Sequence, residues 1–317
     1  MIFDRRPRAL RGALAATAVA AALAATAGTA FASGDPAERA SAAAATAEQR
    51  AQEGGRSQAP RAAATADAPV ETPTFTMTAV QKQDGELFHY YPNRQGGFDA
   101  RYDVGVTFDG FADAINVDND KDGWSDGTWY LYKSGKLEYS YIDDDLEHHS
   151  KQVGTSWNIY TAVLSPGSLG GAQEADLIGL DKAGVLWGYL AYPDGSLTPR
   201  FRIGAGWGQY TQLAGQGDLS GDGKADIVAQ DKSGGLWLYK GTGDQKAPFE
   251  PRTRIGGGWN IYDRLLSVGD LDADGRSDLI ARKPNGDLFR YSGTGDALAP
   301  YEAPVKIGWG FQIYNLL

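Results

Sequence analysis

The chain has 317 residues, among them 42 Gly, eight Trp, 16 Tyr, three His, two Met and no Cys, with a formal net charge of -10. The lack of Cys excludes disulfides, thiolate zinc sites and Cys nucleophiles, and three His are too few for a His-rich metal centre. The acidic balance argues against a nucleic-acid binder, whose affinity comes from Lys and Arg neutralising phosphates, and it suits a soluble extracellular protein.

In chain order, "MIFDRRPRALRG" carries four Arg, "ALAATAVAAALAATAGTA" is an apolar run of small residues, and "AFA" places small residues at Ala30 and Ala32. Residues 1–32 therefore read as a signal peptide cleaved after Ala32, which makes the protein secreted and extracellular. No later stretch approaches the ~20 apolar residues of a membrane span, so no membrane insertion is expected. Residues 33–73 are rich in Ala, Gln, Glu, Arg and Pro and have no aromatics. Such a low-complexity linker cannot bury enough apolar area to offset its ordering entropy, and disorder is expected.

From Phe75 the composition turns to aromatic, Gly and Asp, and the chain repeats. "IGGGWNIY" (255–262) recurs as "IGAGWGQY" (203–210) and "VGTSWNIY" (153–160), with weaker copies "VGVTFDGF" (104–111) and "IGWGFQIY" (307–314). Phe108, Trp157, Trp207, Trp259 and Phe311 are spaced by 49, 50, 52 and 52 residues. A second phrase keeps the same register: "DGELFHY", "GKLEYSY", "AGVLWGY", "GGLWLY" and "NGDLFRY". Each joins a turn residue to a short alternating apolar run, and helical periodicity is absent.

Four short strands per unit at a period of about 50 residues predict an all-β, five-bladed β-propeller over 74–317. The repeat region starts on "FTMTAV" and stops at "IYNLL", fragments that complete one another. The ring is therefore expected to close by pairing its N- and C-terminal strands in one blade.

Between the "WxxYxxLL" and "DLIA" strands lie three loops of the form D-x-[DS]-x-D-G-x-x-D. They hold Asp118, Asp120, Asp122 and Asp126; Asp218, Ser220, Asp222 and Asp226; and Asp270, Asp272, Asp274 and Asp278. Alternate oxygens, a Gly at position six and a carbonyl at position seven, from Trp124, Lys224 or Arg276, suit a hard cation. Calcium takes six to eight such oxygens at ~2.3–2.6 Å. An EF-hand would need flanking helices and a Glu at position twelve, and these loops run directly into strands. Four carboxylates converging on one point also differ from an acid–base pair in two environments. Two strong calcium sites are expected and a weaker one at the Ser220 loop. A fourth loop, "GSLGGAQEADLI", keeps Asp176 but has Ser168, Gly170 and Ala172 at ligand positions, so no ion is expected there.

"GDLSGDGKADIV" and "GDLDADGRSDLI" resemble the FG-GAP/VCBS repeats of secreted bacterial proteins and integrin propellers. That resemblance implies the blade and its calcium loop; the number five comes from counting. "RIGGGWNIYDRLLSV" and "RIGAGWGQYTQLAG" are similar to the repeats of tachylectin-2-like five-bladed lectins. This second resemblance implies multivalent recognition of glycans or cell-surface polysaccharide in clefts between blades.

The residues expected to carry that recognition are Trp157, Asn158 and Tyr160; Trp207 and Tyr210; and Trp259, Asn260 and Tyr262. An indole face complements a sugar C–H face, and amides suit hydroxyl and N-acetyl groups. The competing role for an aromatic repeated once per blade is packing of blade against blade, and Trp187 and Trp237, which alternate within a strand, are stronger core candidates still. A protein partner in an extracellular complex, such as a toxin particle whose lectin subunit this would be, is the alternative use of the same clefts. A glycosidase would need acids converging on the central channel, and no singular acid stands out. His148 and His149 lie in the acidic insertion "YIDDDLEHHSK", where adjacent side chains diverge on an extended chain and metal binding by the pair is disfavoured.

Overall fold

A computed structural model describes residues 72–143, 145, 147–170 and 174–317. The expected signal peptide, the expected linker as far as residue 71, and Ala172 lie outside the described residues.

Among the described residues, twenty strands form five four-stranded antiparallel sheets. Blade 2 contains β4 (Phe111–Val117), β5 (Gly127–Tyr132), β6 (Leu137–Ile142) and β7 (His148–Gly154). Blade 3 contains β8 (Tyr160–Gly167), β9 (Asp176–Asp181), β10 (Val185–Tyr189) and β11 (Phe201–Ala205). Blade 4 contains β12 (Tyr210–Ala214), β13 (Ile227–Asp231), β14 (Leu236–Tyr239) and β15 (Thr253–Gly256). Blade 5 contains β16 (Arg264–Gly269), β17 (Asp278–Arg282), β18 (Leu288–Tyr291) and β19 (Val305–Gly308). Blade 1 closes the ring: C-terminal β20 (Tyr314–Leu316) pairs with β1 (Met77–Gln81), followed by β2 (Glu86–Tyr90) and β3 (Tyr102–Thr107).

In each blade the strand after the aromatic anchor is innermost, for β8 packs on β4 and β12, and β12 on β16. The C-terminus thus supplies the inner strand of blade 1, in the register Ala79↔Leu316, Val80↔Asn315 and Gln81↔Tyr314. Strand alternation sends successive side chains to opposite sheet faces. Ile227 and Ala229 of β13 enter the cluster shared with blade 3, while Val228 enters the cluster shared with blade 5. Five such apolar clusters fill the five interfaces between neighbouring blades.

One backbone bond recurs at every interface. The anchor amides of Phe108, Trp157, Trp207, Trp259 and Phe311 donate to the carbonyls of Gly85, Gly135, Gly184, Gly234 and Gly286 in the preceding blade. Four anchors sit on single 3-10 turns entered through a left-handed residue, Ser156, Gly206, Gly258 or Gly310. The glycine before each turn is sterically required in at least two cases. A Cβ on Gly154 or Gly256 would stand 2.3 or 2.6 Å from the indole Nε1 of Trp157 or Trp259.

Closure through β20 predicts that Leu316→Ala, at a side chain 2% exposed, lowers stability by roughly 2–4 kcal/mol in denaturant melts. Leu298→Ala, at 81% exposure, should change it by less than about 0.5 kcal/mol.

Candidate functional site

The acidic loops join the inner strand of a blade to its second strand. Positions four and six adopt left-handed backbone in all three: Lys121 and Gly123, Gly221 and Gly223, Ala273 and Gly275. That double bend wraps the chain around the position-one carboxylate. Asp118 accepts the amides of Lys121 (2.7 Å) and Gly123 (3.0 Å). Asp270 does the same for Ala273 (2.7 Å) and Gly275 (2.8 Å), and Asp218 for Gly221 (2.7 Å) and Gly223 (2.6 Å). Trp124, Lys224 and Arg276, whose carbonyls were expected as ligands, follow the position-six glycine in each loop.

The carboxylates gather differently in the three loops. Ligand atoms of Asp118, Asp120 and Asp122 lie within 4.8 Å of one another, and so do those of Asp270, Asp272 and Asp278. Asp272 Oδ1 is buried and accepts no hydrogen bond among the described residues, while Oδ2 takes the Ser292 hydroxyl (3.1 Å) and pairs with Arg290 (2.9 Å). An orphaned buried carboxylate oxygen on a residue grouped with two other acids is a donor set that could suit a cation. In the middle loop Asp222 turns to the Lys240 ammonium at 3.0 Å. Burial opposes ionisation of Asp222, but Lys240 outweighs it and holds the carboxyl below its ordinary range.

Position nine has a structural task that the spacing alone did not reveal. Asp278 Oδ2 accepts the Leu271 amide (3.0 Å) and Oδ1 the Gly293 amide (3.0 Å) beyond the third strand. Asp226 bridges Leu219 to Gly241, and Asp176 bridges Leu169 to Ala191, in the same way. Asp126 accepts the amides of Asn119 and Asp120. This strut accounts for Asp176 in a loop whose other ligand positions hold Ser168 and Gly170.

The loops also join blades: Thr74 N donates to Gly123 O, Asp270 N to Pro73 O, and the Thr72 hydroxyl to Gly275 O at 2.6 Å. Thr72 and Pro73, part of the linker by composition, are thus fixed to the blade 5 loop.

The anchor aromatics face inward. Trp157, Trp207 and Trp259 are buried, and their rings lie 4.5, 4.4 and 4.6 Å from Tyr189, Tyr239 and Tyr291. The indole faces expected to meet sugar are thus covered by tyrosine, the packing role that competed for them. Tyr160, Tyr210 and Tyr262 are buried, and their hydroxyls bond the hydroxyls of the same three tyrosines at 2.5, 2.6 and 2.7 Å. Asn158 and Asn260 are exposed beside the Gly135 and Gly234 turns.

Trp187 and Trp237, expected in the core, pack against the inter-blade cores but stay half-buried on the third strand. Their indole N–H groups donate to Asp181 (2.9 Å) and Asp231 (2.7 Å). An exposed arginine covers each ring, with Arg200 Cζ 4.0 Å from the Trp187 centroid and Arg252 Cζ 4.1 Å from that of Trp237. Arg200 donates to Tyr160 Oη (3.4 Å), and Arg252 to Tyr210 Oη and Gln209 Oε1. Arg101 repeats the station over Phe88 at 4.5 Å and donates to Tyr314 Oη (2.7 Å). These arginines stand four residues before Gly105, Gly204 and Gly256, so the repeat register carried the signal; Ser150 and Pro304 take that place in blades 2 and 5.

Two further features were not evident in the sequence. Asp113 and Arg264, on the inner strands β4 and β16, form a charged couple in which burial pushes Asp113 up to about 6 against the pull of Arg264. Asp263, nearby, is held by Arg282 at 2.9 Å. A cavity of about 350 Å³ also opens between blades 1 and 2, lined by Phe108, Phe111, Lys82, Asp84, Asp109 and Asn315 among others.

Four-stranded blades closed by the chain termini, with acidic loops between first and second strands, define the class: a five-bladed β-propeller. Within it, residues 218–281 match the family described as FG-GAP-like repeat. No curated protein matches the chain.

Among solved structures, the lectin BP39L of Burkholderia pseudomallei is similar at 12% identity and a TM-score of 0.46, over 73% of this chain and 69% of that one. AofleA of Arthrobotrys oligospora is similar at 12% identity and 0.44, over 76% and 74%. A putative 6-phosphogluconolactonase of Bacteroides fragilis is similar at 12% and 0.37, over 73% and 67%. Among the described residues no helix is long and apolar enough to cross a membrane.

Burial, reinforced by neighbouring acids, pushes Asp118 and Asp278 up to about 7 from an ordinary 3.8. The folded state therefore binds more protons than the unfolded state between those values. Their contribution to stability is full below pH 3.8 and is lost as pH rises through about 7. In chelator, the melting temperature should fall as pH rises across this window, and Asp278→Asn should flatten the slope.

Proposed function

We propose that the protein is a secreted, calcium-stabilised propeller that recognises carbohydrate at its inter-blade clefts. The observation that carries this reading is the station repeated in three clefts: an exposed arginine lying on an aromatic ring, beside a tyrosine hydroxyl. A guanidinium offers a planar fork of donors, and the tyrosine both donates and accepts. Together they match adjacent sugar hydroxyls or a sugar carboxylate, and Gln209 adds an amide at the blade 4 station. Three such stations on one ring gain avidity against a dense glycan that a single shallow site would lack.

Calcium fits the loops of blades 2 and 5, supported by the gathered carboxylates and the orphaned Asp272 oxygen. In blade 4 the Lys240 ammonium already partners Asp222, which together with Ser220 makes that loop the weaker site. The Arg-bearing, small-residue N-terminus supports secretion. In the channel the couple is one carboxylate against one arginine, which favours binding over a two-carboxylate glycosidase.

The test is a glycan array on the mature protein in millimolar calcium and in chelator. Binding is expected, and a variant combining Arg101→Ala, Arg200→Ala and Arg252→Ala should lose apparent affinity on the order of 10²-fold. No glycan bound in calcium, with a stoichiometric protein recovered from culture supernatant, would replace this reading with peptide docking.

Calorimetry with calcium should find two tight sites, reduced to one by Asp272→Asn. Unchanged stoichiometry would reject the blade 5 assignment.

A further inference from the structure

Blade 2 differs from the other blades in its outer hairpin. β6 and β7 have six and seven residues, and β7 carries two of the chain's three histidines. The ladder pairs Tyr141 with His149 and Ile142 with His148, and Asp143 N donates to Glu147 O at 3.1 Å. Directly opposed residues share a face, and residues two apart on a strand share a face. Asp143, Glu147 and His149 therefore come to one side of the hairpin. His148 goes to the other side, where its Nε2 lies 2.7 Å from the Ser140 hydroxyl. The histidine pair diverges as its sequence implies, and each imidazole meets a different environment.

On the first side three potential ligand atoms converge. His149 Nε2 is 2.6 Å from Asp143 Oδ2, and with a Glu147 carboxylate oxygen they all lie within 4.8 Å of one another. Ligand atoms around a tetrahedral zinc stand roughly 3.4 Å apart, given bonds of ~2.0–2.1 Å, so small side-chain movements admit the ion. Two of the ligands are held from behind. Asp143 Oδ1 accepts the amides of Asp145 (3.0 Å) and Glu147 (2.9 Å), which leaves Oδ2 toward the histidine. The His149 ring stacks on Tyr141 with centroids 5.1 Å apart and planes at 24°. Fixing a ligand through its other atoms is how outer partners orient metal ligands.

We propose that Asp143, Glu147 and His149 form a binding site for a divalent d-block cation of the zinc class, on the outer hairpin of blade 2. The imidazole separates it chemically from the acidic loops: calcium takes oxygen ligands, whereas imidazole suits zinc, copper and nickel. Two carboxylates neutralise the dication, and the solvent side leaves a coordination position for water. The bound ion would join the end of β6 to the start of β7 across the hairpin. This inference is independent of the sugar-binding reading.

The test is calorimetric titration of zinc chloride into the untagged mature protein, with millimolar calcium present to occupy the acidic loops. One equivalent of zinc is expected. His149→Gln should weaken it by more than about tenfold, since even outer partners cost 10–100-fold. Glu147→Gln should weaken it by a smaller factor, and His148→Gln should leave it unchanged. Absence of zinc binding, binding indifferent to His149→Gln, or an equal loss in His148→Gln would each overturn the proposal.

Discussion

A sheet of four short strands with apolar side chains on both faces is stable in water only when both faces are covered. In this protein each face is covered by the next blade, so no blade stands alone and every interface depends on the ring being closed. Val228 and its neighbours Ile227 and Ala229 lie one residue apart yet serve two different cores. The last strand, β20, completes both the first blade and the cluster that seals it to the fifth. The anchor-to-glycine bond, present at all five interfaces, fixes the azimuth of one blade on the next through backbone alone. It survives replacement of Trp by Phe at 108 and 311.

The same dependence explains the acidic loops. Each position-nine aspartate bonds backbone amides within its own loop, and in blades 3, 4 and 5 it is buried and reaches the segment after the third strand. Burial raises these groups: Asp176 and Asp226 to about 6, Asp278 to about 7. The ionised strut is therefore costly unless positive charge stands nearby, and each blade meets that differently. Blade 4 has Lys240 against Asp222, blade 5 has Arg290 against Asp272, and blade 3 has Ser168, Gly170 and Ala172 at positions one, three and five and keeps only Glu174 beside Asp176. Variation among the loops follows from one electrostatic problem with several solutions.

The fold was legible because its signals are redundant: the spacing of five anchors, the alternation within strands and the complementary chain ends each specify the ring. Side-chain direction at the clefts was less legible, for a physical reason. Trp157 and Trp187 are both aromatics at repeated positions, and the sequence left Trp157 open between sugar binding and blade packing while favouring the core for Trp187. The left-handed residue Ser156 turns Trp157 inward onto Tyr189, while Trp187, third in β10, reaches the rim of the cleft and lies under Arg200. A turn of one residue decides between these outcomes, and periodicity does not encode it. The arginines were marked by their fixed offset from Gly105, Gly204 and Gly256. Asp113 and Arg264 left no signal, because each occurs in only one repeat.

Repetition fixes what all blades need, so differences between blades are where selective binding can reside. Ser150 and Pro304 stand where blades 1, 3 and 4 place arginine, which breaks five-fold equivalence on the rim. The open cavity lies between blades 1 and 2, where the anchor is Phe108. In the channel, Asp113 faces Arg264 while Asp263 is committed to Arg282. Burial pushes Asp113 up and Arg264 down in spite of their mutual attraction, so desolvation outweighs the pairing. Asp113 and Arg264 each occur in a single repeat, so the inner strands, like the rim, depart from five-fold equivalence.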